Sequence, residues 1–343
     1  EAKTAAKAIG YPVVLRPAFT LGGTGGGFAD NEAELVELGA QAFKLSPIHQ
    51  VLIEKSVKGY KEIEFEVMRD ASDRAITICG MENIDPVGVH TGDSIVVAPI
   101  MTLNGHDLKM LNDSAIKIIR TLKIQGGCNV QFALDPKTSE YFLIEINPRV
   151  SRSSALASKA SGYPIARVTA KVAVGMNLDE IAVANTTAAF EPQLDYVVAK
   201  LPRFPFDKFS SAANTLGTQM KATGEVMGIG ATLEECLLKS IRSLEIGADH
   251  LWLPKFQNKT KEELLDYLRQ FRDDGYFAIA QLMRLGVSTE EIFAVTMITP
   301  FFLEKLRGIV DMEETLRQHK NDGEILRRAK EMGFSDPAIA KLW

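Results

Sequence analysis

Cysteine is scarce in this sequence. Its three cysteines, Cys79, Cys128 and Cys236, lie far apart, with no Cys-x-x-Cys pair and no cluster of histidine and cysteine. We therefore expect free thiols in a reducing cytoplasm, and neither a disulfide framework nor a zinc site. The sequence also lacks an apolar run of membrane-spanning length, a signal peptide and a polybasic tail, so we expect no membrane partner.

A strongly basic charge is absent too. The formal net charge of −5 argues against nucleic acid as the main partner. The composition, 46% hydrophobic and 24% charged, is that of an ordinary globular protein, and 343 residues are enough for two domains. The chain does not begin with methionine, and it starts inside a helical pattern, Ala2–Ile9, that runs straight into a strand. We therefore expect it to be part of a longer protein.

Two common nucleotide-binding signatures are missing. A glycine-rich loop follows the predicted strand at 13–15 and holds five glycines among positions 22–27. It has no Gly-Lys-Ser/Thr, so it is not a Walker A loop, and no Gly-x-Gly-x-x-Gly leads from the strand into a helix. Flexible surface loops share this composition. The preceding Arg16 favours a loop that cradles phosphate through backbone amides and a guanidinium.

Helical and extended patterns alternate up to about residue 190. They predict helices at 1–9, 31–44 and 107–122, and strands at 13–15, 51–54, 62–67, 75–82, 93–97, 128–134 and 141–144. The stretch 62–67 alternates strictly, which is typical of a half-buried strand. Helices follow from Ser154, then an extended segment at 219–222 and a helix that Thr232 opens and Gly247 ends. These patterns predict an α/β or α+β body.

After about residue 255 only helical patterns remain. Capping pairs open two apolar-periodic runs, and a serine before a proline opens a last short helix: Thr260 with Glu263, Ser288 with Glu291, and Ser335 with Pro337. We expect a body at 1–250, divided into a glycine-loop lobe at 1–58 and a catalytic lobe at 59–250. A small all-helical domain at 251–343 follows.

The most informative stretch lies at 145–154. It closes the alternating run at 141–144, which is typical of a strand. Side chains two apart on a strand share a face, so Glu145, Asn147 and Arg149 project together. A carboxylate, an amide oxygen and a guanidinium on one face suit a site for a metal and a nucleotide, and a hydrophobic core would not accept them.

A second predicted strand at 128–134 strengthens this interpretation. If the two strands form a hairpin centred near Thr138, Gln131 lies opposite Glu145 and Asn129 opposite Asn147. Directly opposed side chains are about 5 Å apart at Cβ. Two or three oxygen donors then converge, as Mg²⁺ shared with substrate phosphates requires. The alternative is a hairpin whose polar face is merely solvated.

A histidine lies between glycines in the turn-like segment at 88–94. Because His90 is not on an apolar face, it is either a loop histidine that caps backbone groups or part of a site. The other four histidines are isolated in polar surroundings and are assigned no role: His49, His106, His250 and His319.

Three segments, 16–23, 90–94 and 145–160, together resemble the large subunit of carbamoyl phosphate synthetase. The run Ser-Arg-Ser-Ser-Ala-Leu at 151–156 resembles its amino-terminal, carboxyphosphate-forming half, since the other half usually departs from it. The resemblance extends through 195–198 and 224–227 into the helical region. It implies an ATP-grasp fold, incomplete at its amino terminus, followed by a helical domain that serves oligomerisation and allosteric coupling.

The resemblance also implies ATP with Mg²⁺ or Mn²⁺ as cofactors and assigns roles to residues. The ATP phosphates would contact Arg16, Gly22 and Gly23; the adenine and ribose side would be lined by Lys55, Val57 and Glu62; Gly88, Val89 and His90 would close around the phosphates; the metal would be held by Gln131, Glu145 and Asn147; and Arg149 and Arg152 would grip bicarbonate and the transferring phosphoryl group. Lys55 departs from the family pattern, because some members carry an acid there. A further nucleotide-contacting arginine belongs to a domain that would precede this chain.

The activity that this family implies is that of a ligase. ATP phosphorylates bicarbonate to carboxyphosphate, and ammonia displaces phosphate to give carbamate. A glutaminase subunit supplies the ammonia, a carboxyl-terminal synthetase half consumes the carbamate, and the helical domain forms a homo-oligomer. The pathway served is arginine biosynthesis, pyrimidine biosynthesis or both. We expect the chain alone to be almost inactive.

Other functions fit parts of the pattern. An ATP-grasp carboxylate activator of the biotin carboxylase type would share the glycine loop and the metal hairpin but not the helical domain. A nucleotide-binding or assembly module without turnover is a second alternative. A purely structural oligomerisation segment is a third, although it would not need the polar cluster around Glu145.

Overall fold

The computed structural model describes residues 1–20, 24–209 and 211–343. The first part of the chain forms a small lobe with a three-stranded antiparallel sheet of order β2-β1-β3. Its elements are α1 (Ala2–Ile9), β1 (Val13–Pro17), β2 (Gly27–Ala29), α2 (Glu32–Leu45) and β3 (Val51–Lys55). These elements confirm the helices and strands predicted for this stretch, and they pack on a small core of their own. The predicted contacts Gly22 and Gly23 lie outside the described residues.

A seven-stranded antiparallel sheet forms the body of the molecule. Its elements, with the helices and the short β9–β10 hairpin between them, are β4 (Lys61–Arg69), β5 (Ala75–Asn83), β6 (Val96–Ala98), α3 (Gly105–Thr121), β7 (Gly126–Leu134), β8 (Tyr141–Asn147), α4 (Arg152–Ser161), α5 (Ile165–Ala173), β9 (Ala182–Val183), β10 (Thr186–Thr187), β11 (Val197–Arg203) and β12 (Gly224–Gly230). The order is β12-β11-β6-β5-β4-β7-β8. One face packs on α3, and the other packs on α4 and α5.

Strand β4 corrects one prediction. The alternating residues 62–67 indicated a half-buried strand, yet every residue from Glu62 to Arg69 is buried. Ile63, Phe65 and Val67 pack on the α3 side. The intervening glutamates lie under the start of α4, where serine hydroxyls and an asparagine amide satisfy them. The alternation was therefore between two buried faces, one apolar and one polar.

The segment predicted as extended at 219–222 does not join the sheet. The carboxylate of Asp93 accepts hydrogen bonds from the backbone N–H groups of Lys221 (2.9 Å) and Ala222 (2.7 Å). A side chain thus occupies the backbone donors that a neighbouring strand would have used. The adjacent strand begins at Gly224, and the strand predicted at 93–97 begins at Val96.

All regular elements after β12 are helical, as predicted. They are α6 (Leu233–Ser243), α7 (Lys261–Leu268), α8 (Gly275–Arg284), α9 (Thr289–Thr296), α10 (Pro300–Gln318), α11 (Gly323–Glu331) and α12 (Asp336–Leu342). The predicted caps Thr232, Thr260, Ser288 and Ser335 each accept an N–H three residues on. Helix α6 ends at Ser243, before the Gly247 expected to end it. In the described part of the chain, no helix is long and apolar enough to cross a membrane.

The hydrophobic core is continuous across residue 250. One cluster joins sheet residues such as Val97 and Leu201 with Leu237 of α6 and with Phe302 and Leu306 of α10. Two further clusters lie on the two faces of β4 and β5. Each of these three clusters holds one cysteine: Cys79, Cys128 or Cys236, all buried and free.

Candidate active site

A cavity of about 880 Å³ lies between the small lobe and the seven-stranded sheet. It is lined by eleven of the residues that the sequence placed at the site: Arg16, Val57, Glu62, Gly88, Val89, His90, Gln131, Glu145, Asn147, Arg149 and Arg152. Lys55 is not among the described residues that line it. The Lys55 ammonium instead lies 5.9 Å from the centre of the Phe142 ring.

The β7–β8 hairpin positions the oxygen donors. Gln131 pairs with Glu145 and Asn129 pairs with Asn147, which is the predicted register. The register then shifts, so that Phe132 pairs with Leu143 and Ile144 is the additional residue. Such a β-bulge twists a strand locally and redirects the side chains on either side of it. The hairpin therefore keeps the predicted pairing only in the half that lines the cavity.

The donor set fits a divalent cation shared with phosphates. The Gln131 side-chain amide donates to Asn129 Oδ1 (2.9 Å), which leaves Gln131 Oε1 as an available acceptor. The Glu145 carboxylate forms no hydrogen bond or ion pair with the described residues. The same part of the chain holds no group of three His, Cys, Asp or Glu side chains arranged around a metal. One carboxylate with amide oxygens from Gln131 and Asn147 suits Mg²⁺, which keeps waters and substrate phosphates as its other ligands.

Behind these donors lies a buried network that the sequence did not reveal. The Asn129 amide donates to Glu64 (3.1 Å) and to Glu66 (3.0 Å), and the hydroxyls of Ser153 and Ser154 donate to the same two carboxylates. Burial raises the pKa of Glu64, and it raises the pKa of Glu66 to about 8. Glutamates at 62, 64 and 66, facing a strand with Asn129 and Gln131, were the available signal.

Lys200 is a second feature that the sequence did not indicate. It lies in β11, is only 3% exposed, and lines the cavity. Its ammonium donates to the carbonyl oxygens of Thr91 (3.2 Å) and Gly92 (3.3 Å). Burial lowers its pKa, and nearby carboxylates, Glu225 first among them, act in the opposite direction. Lys200 thus places a buried cation directly behind the loop at 88–94 that carries His90, which we call the histidine loop.

The loop that carries His90 has a defined hydrogen-bonding state. His90 Nδ1 accepts from the Gly92 N–H (3.0 Å), so in the neutral ring Nε2 carries the proton. Burial lowers the His90 pKa, which favours that neutral ring. Gly88 has φ of +131°, a conformation that L side chains rarely adopt, and a Cβ there would lie 3.3 Å from Lys58 Cγ. This loop therefore presents a neutral N–H donor at the cavity.

Three arginines differ in how they are paired. Arg16 Nε lies 2.7 Å from a Glu54 carboxylate oxygen. Arg149 donates to Asn147 Oδ1 (3.2 Å), and Arg152 Nη1 lies 3.1 Å from Met220 Sδ. Within the described residues, neither Arg149 nor Arg152 forms an ion pair with a carboxylate. Two guanidinium groups without counterions at the cavity wall suit a small oxyanion or a phosphoryl group.

Comparison with known families identifies the kind of protein. Residues 1–181 match the ATP-binding domain of the carbamoyl-phosphate synthase L chain, and residues 225–343 match the oligomerisation domain of the carbamoyl-phosphate synthetase large chain. The chain belongs to the carbamoyl-phosphate synthase large-chain family. The two matches confirm the resemblance seen in the sequence. They also follow the expected order along the chain, the ATP-binding domain first and the oligomerisation domain second.

Solved structures support the same fold for this large-chain member. A biotin carboxylase from Campylobacter jejuni, in a β-γ-ATP complex, has a TM-score of 0.55 at 16% identity over 85% of this chain and 68% of its own. The biotin carboxylase domain of 2-oxoglutarate carboxylase from Hydrogenobacter thermophilus, in complex with MgADP, ADP and bicarbonate, has a TM-score of 0.50 at 22% identity. That match covers 61% of this chain and 45% of that domain. This member of the carbamoyl-phosphate synthase large-chain family thus has an ATP-grasp region, matched as an ATP-binding domain, followed by helices.

Proposed function

We propose that the chain provides the site where ATP phosphorylates bicarbonate to carboxyphosphate, and where ammonia then displaces phosphate to give carbamate. One observation carries this proposal. In an ATP-binding domain, a single cavity holds the oxygen donors of Gln131, Glu145 and Asn147 beside the guanidinium groups of Arg149 and Arg152, neither of which is ion-paired with a carboxylate of the described residues. The bicarbonate bound with MgADP in the Hydrogenobacter thermophilus domain supports this choice of acceptor.

Phosphoryl transfer needs alignment and neutralised charge more than covalent help from the protein. Gln131, Glu145 and Asn147 would hold Mg²⁺ or Mn²⁺, which supplies charge neutralisation at the ATP phosphates. Arg16 meets the phosphates from the small-lobe side of the cavity. Gly22 and Gly23, in the loop that would cover them, remain predicted contacts.

The bicarbonate end of the cavity is cationic. Arg149 and Arg152 would orient bicarbonate and stabilise the charge on the oxygens of the transferred phosphoryl group. His90 would donate its Nε2–H to the same oxygens or carry a proton. Val57 and Glu62, which also line the cavity, would form the side that holds adenine and ribose. Lys55 keeps its proposed ribose contact only if its ammonium leaves the Phe142 ring.

The partners follow from the same proposal. A glutaminase subunit would supply ammonia, a carboxyl-terminal synthetase half would consume carbamate, and the helical region would form a homo-oligomer. The setting would be the cytoplasm and the pathway pyrimidine or arginine biosynthesis. We also propose that these 343 residues alone hydrolyse ATP slowly or not at all. The reaction depends on correctly positioned groups, and small misplacements of those groups abolish catalysis. ATP titration and hydrolysis, with and without a preceding domain, would test this.

An isotope experiment tests the reaction itself. With [¹⁸O]bicarbonate and no ammonia, the proposed enzyme should release phosphate that carries one ¹⁸O, because a bicarbonate oxygen attacks the γ-phosphorus. Bicarbonate-stimulated ATP hydrolysis without ¹⁸O transfer would overturn the proposal. Omitting bicarbonate is the control.

Arg152→Ala addresses the bicarbonate end. We expect it to impair the use of bicarbonate more than the binding of ATP, because an arginine aimed at the transferred group acts mainly in the transition state. The Michaelis constants for the two substrates and kcat would be compared. A variant in which only ATP affinity fell would show that Arg152 contacts the nucleotide instead.

The biotin carboxylase likeness favours one alternative, a carboxylate activator with a biotin-type acceptor. The match of residues 225–343 to an oligomerisation domain of the synthetase family weighs against it. Product analysis with ammonia or with free biotin as acceptor would separate the two. A nucleotide-binding module without turnover would bind ATP but transfer no ¹⁸O.

A further inference from the structure

The segment at 214–222 connects two parts of the molecule. It lies between β11, which ends at Arg203, and β12, which begins at Gly224, and two of its side chains, Thr218 and Met220, line the cavity. We refer to residues 214–222 as the bridging segment. Its hydrogen bonds join it to the helical region on one side and to the loop that carries His90 on the other. The segment therefore links these two regions as well as connecting two strands.

On one side the bridging segment is fixed to the turn between α7 and α8. Thr215 forms a β-bridge with Arg272, and the Leu216 N–H donates to the Phe271 carbonyl (2.6 Å). The Asn214 side-chain amide donates to Asp273 (2.8 Å), and its oxygen accepts from Arg272 Nη1 (2.8 Å). This side chain therefore completes an attachment to the helical region.

On the other side the bridging segment is fixed to the histidine loop. The Gly217 carbonyl accepts from the His90 N–H (2.8 Å). The Asp93 carboxylate, 2% exposed, accepts the N–H groups of Lys221 and Ala222. These bonds fix the backbone of His90 to the bridging segment. The other edge of that segment is bonded to the turn between α7 and α8.

A small cavity lies between the same two regions. Tyr276 of α8 and Asp85, at the base of the histidine loop, line one small cavity of about 40 Å³ together with Val89. The Asp85 carboxylate accepts from the Ile95 N–H (2.9 Å), which closes the loop between them. The helical region thus reaches the histidine loop through the bridging segment and faces it across this small cavity.

We propose that Asn214 and Asp273 are positioning residues: through the bridging segment, the α7–α8 turn sets the placement of His90 and of the cavity wall. The helical region is then a structural part of the nucleotide site. This inference concerns placement, so its first test does not depend on the proposed reaction.

Amide hydrogen exchange on the intact protein is that first test. Asn214→Ala and Asp273→Ala each remove the side-chain hydrogen bond to the turn. We expect faster exchange at His90, Lys221 and Ala222, although none of these amides contacts the substituted side chains. Asn258→Ala, an exposed asparagine in the same helical region, is the matched control and should leave those amides unchanged. Unchanged exchange there in both variants, with melting temperatures like the parent's, would overturn the inference.

Kinetics in the full-length enzyme form the second test, and this one rests on the proposed function. We expect Asn214→Ala to lower kcat for bicarbonate-dependent ATP hydrolysis by roughly 10- to 100-fold, with a much smaller change in the Michaelis constant for ATP. The double variant with Asp273→Ala should lose little more than either single variant, because both break one attachment. Additive losses would contradict the pairing. If the parent showed no such hydrolysis, the proposed function would fail while the exchange result still decided the placement.

Discussion

Glu145 lies near the end of an edge strand, with its carboxylate free of partners among the described residues. Replacement by glutamine keeps the size of the side chain but removes the one negative charge of the proposed donor set. In the full-length enzyme, we expect Glu145→Gln to abolish bicarbonate-dependent ATP hydrolysis and to weaken Mg²⁺-dependent nucleotide binding by at least about tenfold, while the fold stays in place. Calorimetry with MgATP and far-ultraviolet circular dichroism would measure both.

The turn before this strand offers the control. Glu140 is exposed at the hairpin turn and lies outside the cavity, so Glu140→Gln should leave binding unchanged. Activity of Glu145→Gln within a few-fold of the parent would show that the cation is held elsewhere.

The raised pKa of Glu66 predicts how the stability of the fold depends on pH. Its folded-state pKa is about 8, whereas glutamate in an unfolded chain titrates near about 4.3. Between these values the folded protein binds the additional proton, so the free energy of unfolding falls as the pH rises. Glu66→Gln removes this contribution. We therefore expect the variant's free energy of unfolding to depend less on pH between about 5 and 8, and to rise most relative to the parent's at the alkaline end of this range. Urea unfolding across that range would measure it.

An exposed glutamate provides the comparison for Glu66. Glu37→Gln in α2 should follow the parent's pH dependence. A Glu66→Gln variant with the parent's slope would mean that this carboxyl group titrates normally and that another group in the network holds the proton.

At the scale of elements, α6 packs closely on β12 because Gly228 has no side chain. A Cβ at this position would lie 2.3 Å from the Cys236 carbonyl oxygen and 2.5 Å from the Ser240 hydroxyl. Backbone cannot move aside cheaply, so we expect Gly228→Ala to destabilise the protein by about 1–3 kcal/mol or more. Gly224→Ala, on the same strand, would meet only Arg203 Cβ at 3.7 Å and should cost far less. Equal midpoints of unfolding for the two variants would contradict this packing.

The elements also show what sequence patterns can and cannot predict. The pairing of Gln131 with Glu145 followed from strand periodicity and a turn, both of which are local. The bulge at Ile144 did not, because it depends on how the whole edge strand fits its neighbour. The burial of Glu64 and Glu66 depends on the start of α4, about ninety residues away in sequence. Lys200 was missed for the same reason: the carbonyl groups that it holds belong to a distant loop.

At the scale of the molecule, the domain boundary proposed at residue 250 crosses a continuous hydrophobic core. A chain cut after residue 250 would keep the sheet and α6 but lose the α10 side chains that pack with α6 in the shared core. We expect such a truncated chain to bind a hydrophobic dye and to lose its near-ultraviolet circular dichroism, whereas the intact chain unfolds in one cooperative transition. A truncated chain that unfolded cooperatively by itself would show that the sheet does not need the helices.

The three cysteines provide a way to observe opening region by region. Burial raises the pKa of each thiol to about 12, so an alkylating reagent finds almost no thiolate while the protein is closed. Cys79 and Cys128 report on the two faces of the central strands, and Cys236 reports on the core shared with the helices. The order in which mass spectrometry detects their modification under mild denaturant would reveal which layer of the molecule detaches first. Each of these three core clusters thus contains its own thiol reporter, and no probe has to be introduced.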